Sequence, residues 1–164
     1  MDRIRYAWGD SSLGSFLAAV SDAGLVAFEF ADRRGGIPES LRQRLAGSEL
    51  VEDAAGLADT VARLAAVVDD PAGDPGIPLD PRGSEFERRV WSLLREIPAG
   101  QTTHYGAVAA RLGTRDPRET TEAIAANPIA ILVPCHRVIK KDGTISGYRG
   151  GVWRKRALLA RERA

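Results

Sequence analysis

The stretch Asn127-Pro128-Ile129-Ala130-Ile131-Leu132-Val133-Pro134-Cys135-His136-Arg137-Val138 decides how the rest of the chain is read. The apolar run Ile129 to Val133, set between two prolines, is a buried segment leading directly into a polar triplet. The triplet begins with the only cysteine of the 164 residues. One cysteine forms no internal disulfide, and one cysteine with two histidines is too small a set for a zinc cage. Cys135 is therefore a small buried hydrophobe or a reactive thiol. Core filler rarely sits beside His and Arg, and a neighbouring base or positive charge lowers a thiol's pKa. The pattern predicts a reactive Cys135 with His136 as its base, needing no metal. On an extended strand the two side chains would face opposite sides, so their contact needs a turn or a bridging water. A structural histidine is the plainer alternative for His136. Glu162 is a candidate carboxylate to orient the imidazole, although a solvated glutamate on a charged helix is its plainer reading.

Outward from this stretch the chain reads as helical. Arg118 to about Ala126 and Tyr105 to about Arg111 are two short helices, broken from each other by Gly113 and Pro117, the arrangement of a helix-turn-helix. Before them, Ser84 followed by Glu87 is a capping box, and Phe86, Val90, Leu93 and Leu94 share one helical face. That helix ends ahead of Ile97-Pro98-Ala99-Gly100. Downstream, Asp142-Gly143 marks a hairpin turn, and Trp153 to Arg163 is a basic final helix. Arg and Lys gather after Arg137.

The first half differs. Ile4, Tyr6 and Trp8 alternate along a strand, and Gly14 to Val20 and Leu25 to Phe30 are two more β-rich runs separated by the turn Ser21-Asp22-Ala23-Gly24. Together they predict a small meander. Short helices are expected at Pro38 to Leu45 and Ala54 to Val68. Asp69 to Gly83, dense in Pro, Gly and Asp, has the composition of a boundary. The expectation is an α/β protein of two parts: a small amino-terminal sheet-and-helix lobe over 1–80, and a mainly helical carboxy-terminal lobe with a helix-turn-helix over 81–164.

Composition sets outer limits. Hydrophobic residues make up 44% and charged residues 27%, the balance of a globular protein able to bury a core. No apolar run is long enough to span a bilayer, and Met1 to Asp10 mixes charges with aromatics unlike a secretory leader, so a cytoplasmic protein without membrane association is expected. A net charge of +1 neither demands nor excludes nucleic acid, since DNA binders show a basic patch rather than a basic total.

Pro134-Cys135-His136-Arg137-Val138, with Asn127-Pro128 ahead of it, resembles the O6-alkylguanine-DNA alkyltransferases. The resemblance runs from Gly83 to Glu162. It includes Gly83-Ser84-Glu85-Phe86, Val90-Trp91, Ile97-Pro98-Ala99-Gly100-Gln101-Thr102, Tyr105, Ser146-Gly147-Tyr148, Gly151, Lys155, Leu158 and Leu159. In the first lobe Tyr6-Ala7, Ser12-Leu13-Gly14 and Gly24 look like the alkyltransferase half of bacterial adaptive-response regulators, whose zinc-binding half has no counterpart here. The resemblance implies a suicide alkyl transfer from O6-alkylguanine in double-stranded DNA, without cofactor. A monomer with no obligate protein partner is expected, because no apolar interface helix is left over. The resemblance also implies that Cys135 is the nucleophile, that His136 acts as base through a water, and that Glu162 orients it. Tyr105 helps rotate the nucleotide and protonates the leaving guanine. Arg118 fills the vacated stack, and Thr121 and Ala123 share the DNA-facing helix. Asn127 braces the active-site turn and Tyr148 walls the pocket, into which Pro134 leads. Backbone groups of Cys135, Val138 and Arg149 bond the guanine edge.

Two departures stand out. Glu119 and Glu122 put negative charge on the helix meant to approach phosphates, which weakens counterion release unless they face away. His104 stands where the family has a serine. The competing readings are a lesion-binding protein of the same fold without transfer, a regulatory DNA-binding module that reports thiol methylation, and a cysteine hydrolase. The last would need an oxyanion hole that no motif supplies.

Overall fold

The computed structural model describes residues 2–114, 116–145 and 147–163. Ser146 of the Ser146-Gly147-Tyr148 motif lies outside them. The chain divides into two compact units, Met1–Arg82 with Pro128–Ala130, and Gly83–Asn127 with Ile131–Ala164. The three-residue return at 128–130 belongs to the first unit, although sequence reading assigned it to the second lobe.

In the first unit, β1 (Arg3–Ser11), β2 (Gly14–Val20) and β3 (Leu25–Ala31) form the expected antiparallel meander. A fourth strand, β4 (Glu49–Glu52), pairs parallel to β1 and gives the order β3-β2-β1-β4. Sequence reading missed β4 because Glu-Leu-Val-Glu is too short to show a period. β2 is buried from Phe16 to Val20 on both faces, which explains an unbroken apolar run where a half-exposed strand would alternate. On one face Ile4, Leu17, Ala19 and Val26 pack with Leu41 of α1 (Glu39–Arg44). On the other, Phe16 meets Phe28 edge-on at 5.1 Å. Gly9 lies so close beneath Phe16 and Val61 of α2 (Ala58–Asp69) that a Cβ there would approach each to 2.5 Å. α2 starts at Ala58 rather than Ala54, since residues 54–57 turn around Asp53, whose carboxylate accepts from the Gly56 N–H. The Pro/Gly/Asp stretch is more than a linker: Leu25 bridges Leu79, and its backbone is bonded on both sides by Pro78 and Asp80. Phe28 pairs with Ile129 in the same way.

The second unit is built on helices. α3 (Glu85–Leu94) opens with the complete Ser84/Glu87 capping box and buries Val90, Trp91 and Leu94. α4 (Tyr105–Leu112) and α5 (Pro117–Ala125) form the helix-turn-helix. Gly113 closes α4 at φ 72°, a left-handed cap that suits glycine. Pro117 does not only break the chain: it is the first residue of α5, where its missing N–H costs nothing, and Asp116 caps the helix. Trp91 Nε1 donates to Ala123 O at 2.8 Å, tying α3 to α5. Two-residue strands β5 (Thr103–His104) and β6 (Val138–Ile139) pair in parallel, and α6 (Val152–Arg163) buries Leu158 and Leu159. No helix among the described residues is long and apolar enough to cross a membrane.

Candidate active site

Pro134 ends the apolar run, and Cys135–Arg137 form one turn of 3-10 helix. That turn removes the strand geometry that would have put Cys135 and His136 on opposite faces. The approach is strained: Ile131 holds φ at 66°, a conformation costing a β-branched residue about 1–3 kcal/mol. Asn127 Nδ2 donates to Val133 O at 2.7 Å and pins the segment entering the turn.

Behind the turn lies a buried ionic chain. His136 Nε2 is 2.7 Å from Glu162 Oε1, with side-chain exposures of 0% and 1%. Arg137 Nε donates to Glu162 Oε2 at 2.8 Å, a second guanidinium nitrogen reaches the same oxygen, and Nη1 donates to Ile97 O at 2.6 Å. Burial works to raise the Glu162 carboxyl, but the hydrogen bonds from His136 and Arg137 outweigh it and hold it below the usual range. Burial pushes His136 below its ordinary value against the pull of Glu162. A neutral imidazole facing an ionised carboxylate donates from Nε2, so Nδ1 carries the lone pair. Nδ1 is buried and has no hydrogen-bond partner among the described residues.

Cys135 is half-buried at the surface of a cavity of about 640 Å³. Tyr105 and Thr121 line it from the helix-turn-helix, with Asn127, Tyr148 and Arg149. Ile124, Ala125, Lys140 and Gly147, to which sequence reading gave no site role, line it too. Burial pushes the Cys135 thiol above its ordinary value, while an Asn127 hydrogen bond and the charges of Lys155 and Arg149 pull it down less strongly. This corrects the expectation that Arg137 activates the thiol, for its guanidinium is turned onto Glu162. Lys155 belongs to the resemblance, but sequence reading gave it no role in the site. It is fully buried, donates to Gly147 O at 3.3 Å and sits 5.9 Å from the Tyr105 ring centroid. A lysine in a basic helix gives no sequence signal of burial. The Tyr148 hydroxyl is also buried without a partner among the described residues, and burial keeps it a neutral phenol.

Several expected residues lie elsewhere. Ala123 is buried at 4% exposure with its carbonyl bonded to Trp91, so it faces the helical core rather than a DNA surface. The Val138 N–H is taken by Cys135 O, so of its backbone groups only the carbonyl is left to meet a guanine edge. Pro134 is buried and shapes the turn instead of lining the cavity. The Arg118 side chain is 87% exposed, with Nε 3.4 Å from Asp116 Oδ1. Glu119 and Glu122 are exposed on the same helix. His104 caps α4 through Nδ1, accepting from the Ala107 N–H at 3.1 Å.

A thiol in the same short turn as a carboxylate-paired imidazole, at a cavity lined also by a helix-turn-helix, is the layout of a cysteine-centred site on a helix-turn-helix unit. Residues 85–164 match the family described as 6-O-methylguanine DNA methyltransferase, DNA binding domain. The chain is 38% identical over 160 residues to the bifunctional transcriptional activator/DNA repair enzyme Ada of Escherichia coli, covering 97% of this chain and 45% of Ada. It is 54% identical over 81 residues to a methylated-DNA–protein-cysteine methyltransferase of Salmonella typhimurium, covering 49% of this chain and 47% of that protein. The match thus spans about half the length of these curated relatives. Among solved structures it resembles Mycobacterium tuberculosis OGT in complex with DNA, at TM-score 0.74 and 32% identity over 98% of this chain and 92% of that one. The chain belongs to the O6-methylguanine-DNA methyltransferase family.

Proposed function

We propose that this protein repairs alkylated DNA by moving an alkyl group, methyl foremost, from O6 of guanine irreversibly to Cys135. In this reading it acts once per molecule, as a monomer in the cytoplasm, on double-stranded DNA. The observation that carries it is the series Cys135, His136, Glu162, with the basic nitrogen of His136 uncommitted and the thiol at a cavity. A thiol held above its ordinary pKa needs a base, and a neutral His136 takes the proton at Nδ1 through a water while Glu162 stabilises the imidazolium. The thiolate attacks the alkyl carbon, a C–S bond replaces the C–O6 bond, and the electron pair leaves on guanine. Tyr105 supplies the proton that guanine takes up. Attack at an sp3 carbon needs alignment rather than an oxyanion hole, which also disfavours the hydrolase reading. The target atom is reached by flipping the nucleotide out of the stack, with Arg118 entering the gap and Thr121 beside the backbone. The thioether is stable, so no turnover follows.

The test is mass spectrometry after incubation with a duplex carrying one O6-methylguanine. The peptide holding Cys135 should gain one methylene stoichiometrically, and Cys135→Ala should gain nothing. No gain on folded, reduced protein would overturn the proposal. It would favour the second reading, lesion binding without transfer.

A further inference from the structure

The cavity beside Cys135 is lined by two cations, Lys140 and Arg149, and by no carboxylate among the described residues. Both are solvent-exposed, on opposite sides of the Asp142-Gly143 turn. Arg149 is drawn toward the cavity wall, with Nη1 3.4 Å from Asn127 O, and its charge is felt at Cys135. Lys140 has Asp142 near it, which tempers its charge but does not line the cavity. Lys155 adds a third, fully buried positive group near the Gly147 carbonyl. Transfer of a methyl group gives these rim cations nothing to bind. A cavity of this volume holds a ligand larger than a methylated base alone.

From this we propose that Lys140 and Arg149 select O6-alkylguanines whose alkyl group ends in a carboxylate, such as carboxymethyl. The inference rests on the alkyl-transfer reading and names a substrate class for the same site. An anion placed beside a thiolate is ordinarily repelled; two cations at the rim offset that repulsion and hold the carboxylate by charge-assisted hydrogen bonds. The step stays balanced. The Cys135 thiol proton passes to His136, the S–CH2 bond forms, the CH2–O6 bond breaks, and guanine leaves with one proton, giving S-carboxymethylcysteine without oxidant or reductant.

The experiment compares single-turnover transfer from three otherwise identical duplexes, carrying O6-methylguanine, O6-carboxymethylguanine or its neutral isostere O6-carbamoylmethylguanine. Carboxymethyl and carbamoylmethyl carbons differ in intrinsic reactivity. The readout is therefore the change in their rate ratio between wild type and the variants Arg149→Gln, Lys140→Gln and the pair, in which that difference and any phosphate contact cancel. The ratio should fall about tenfold in each single variant, as expected for one lost charge-assisted contact, and further in the double variant, and the wild-type ratio should shrink with added salt. A ratio unchanged by the substitutions, or a uniform slowing of all three lesions, would overturn the inference and assign the cations to the DNA backbone. Methyl transfer without carboxymethyl transfer in wild type would overturn it as well. Absence of methyl transfer would instead defeat the alkyl-transfer reading beneath it.

Discussion

His136 is the residue on which the proposed chemistry turns, because its partners set both its tautomer and its basicity. Burial lowers its pKa and Glu162 raises it, with burial dominant. Transfer should therefore be level at neutral pH and fall as pH drops through a value below the ordinary histidine range of about 6.5, where Nδ1 becomes protonated. Glu162→Gln removes the raising influence, so the inflection should move lower. It also removes the carboxylate that stabilises the imidazolium, so the plateau rate should fall about 100-fold, the low end of general-base contributions. A pH profile of single-turnover rates checks both, and an inflection moving upward in the variant would contradict this account. The same substitution leaves Arg137 buried beside a neutral amide and should cost about 3–5 kcal/mol in urea unfolding.

The helix-turn-helix shows how single positions set an element. His104 does for α4 what a serine would do, using a ring nitrogen as N-cap acceptor. His104→Ala should lose about 1 kcal/mol of stability by chemical denaturation, and His104→Ser should recover most of it. On α5, Glu119 and Glu122 are exposed near Arg118, so duplex phosphates would meet two carboxylates on the proposed DNA-facing helix. The double variant Glu119→Gln/Glu122→Gln should tighten undamaged-duplex binding about two- to fivefold at low salt, the scale of surface charge contacts, with little effect at high salt. Fluorescence anisotropy across a salt series measures this; unchanged affinity would mean that both carboxylates face away from DNA. The helix ends were legible in sequence because capping is local: Ser84 and Glu87 announced α3, as did Gly113 the end of α4. Pro117 was misread as a break because the same residue both stops one helix and starts another.

At the scale of the molecule, the buried cluster makes folding pH-dependent in two windows. His136 has a lowered folded pKa, so the unfolded chain binds its proton first, and stability falls as pH drops from about 6.5 toward the folded value. The Glu162 pKa is also lowered in the fold, so its contribution is present above the unfolded value of about 4.3 and is lost as pH falls through the folded one. Urea midpoints should be flat near pH 7 to 8 and decline in two stages below. His136→Gln should abolish the first stage alone, and a first stage that persists in the variant would show that another group titrates there.

Local signals in the sequence determined the β-rich first half, the capped helices, the helix-turn-helix and the turn that carries Cys135, because alternation, capping and a lone cysteine in a polar triplet are written within a few residues. Tertiary structure decided what depends on distant partners. It paired Glu49–Glu52 with β1, and it gave Pro128–Ala130 to the first unit through Phe28. It also turned Arg137 away from the thiol onto Glu162, buried Ala123 under Trp91 and brought Lys155 beside Tyr105. The physical reason is the same in each case. Desolvation and pairing energies depend on which groups fold against one another, and neighbours in sequence do not record it.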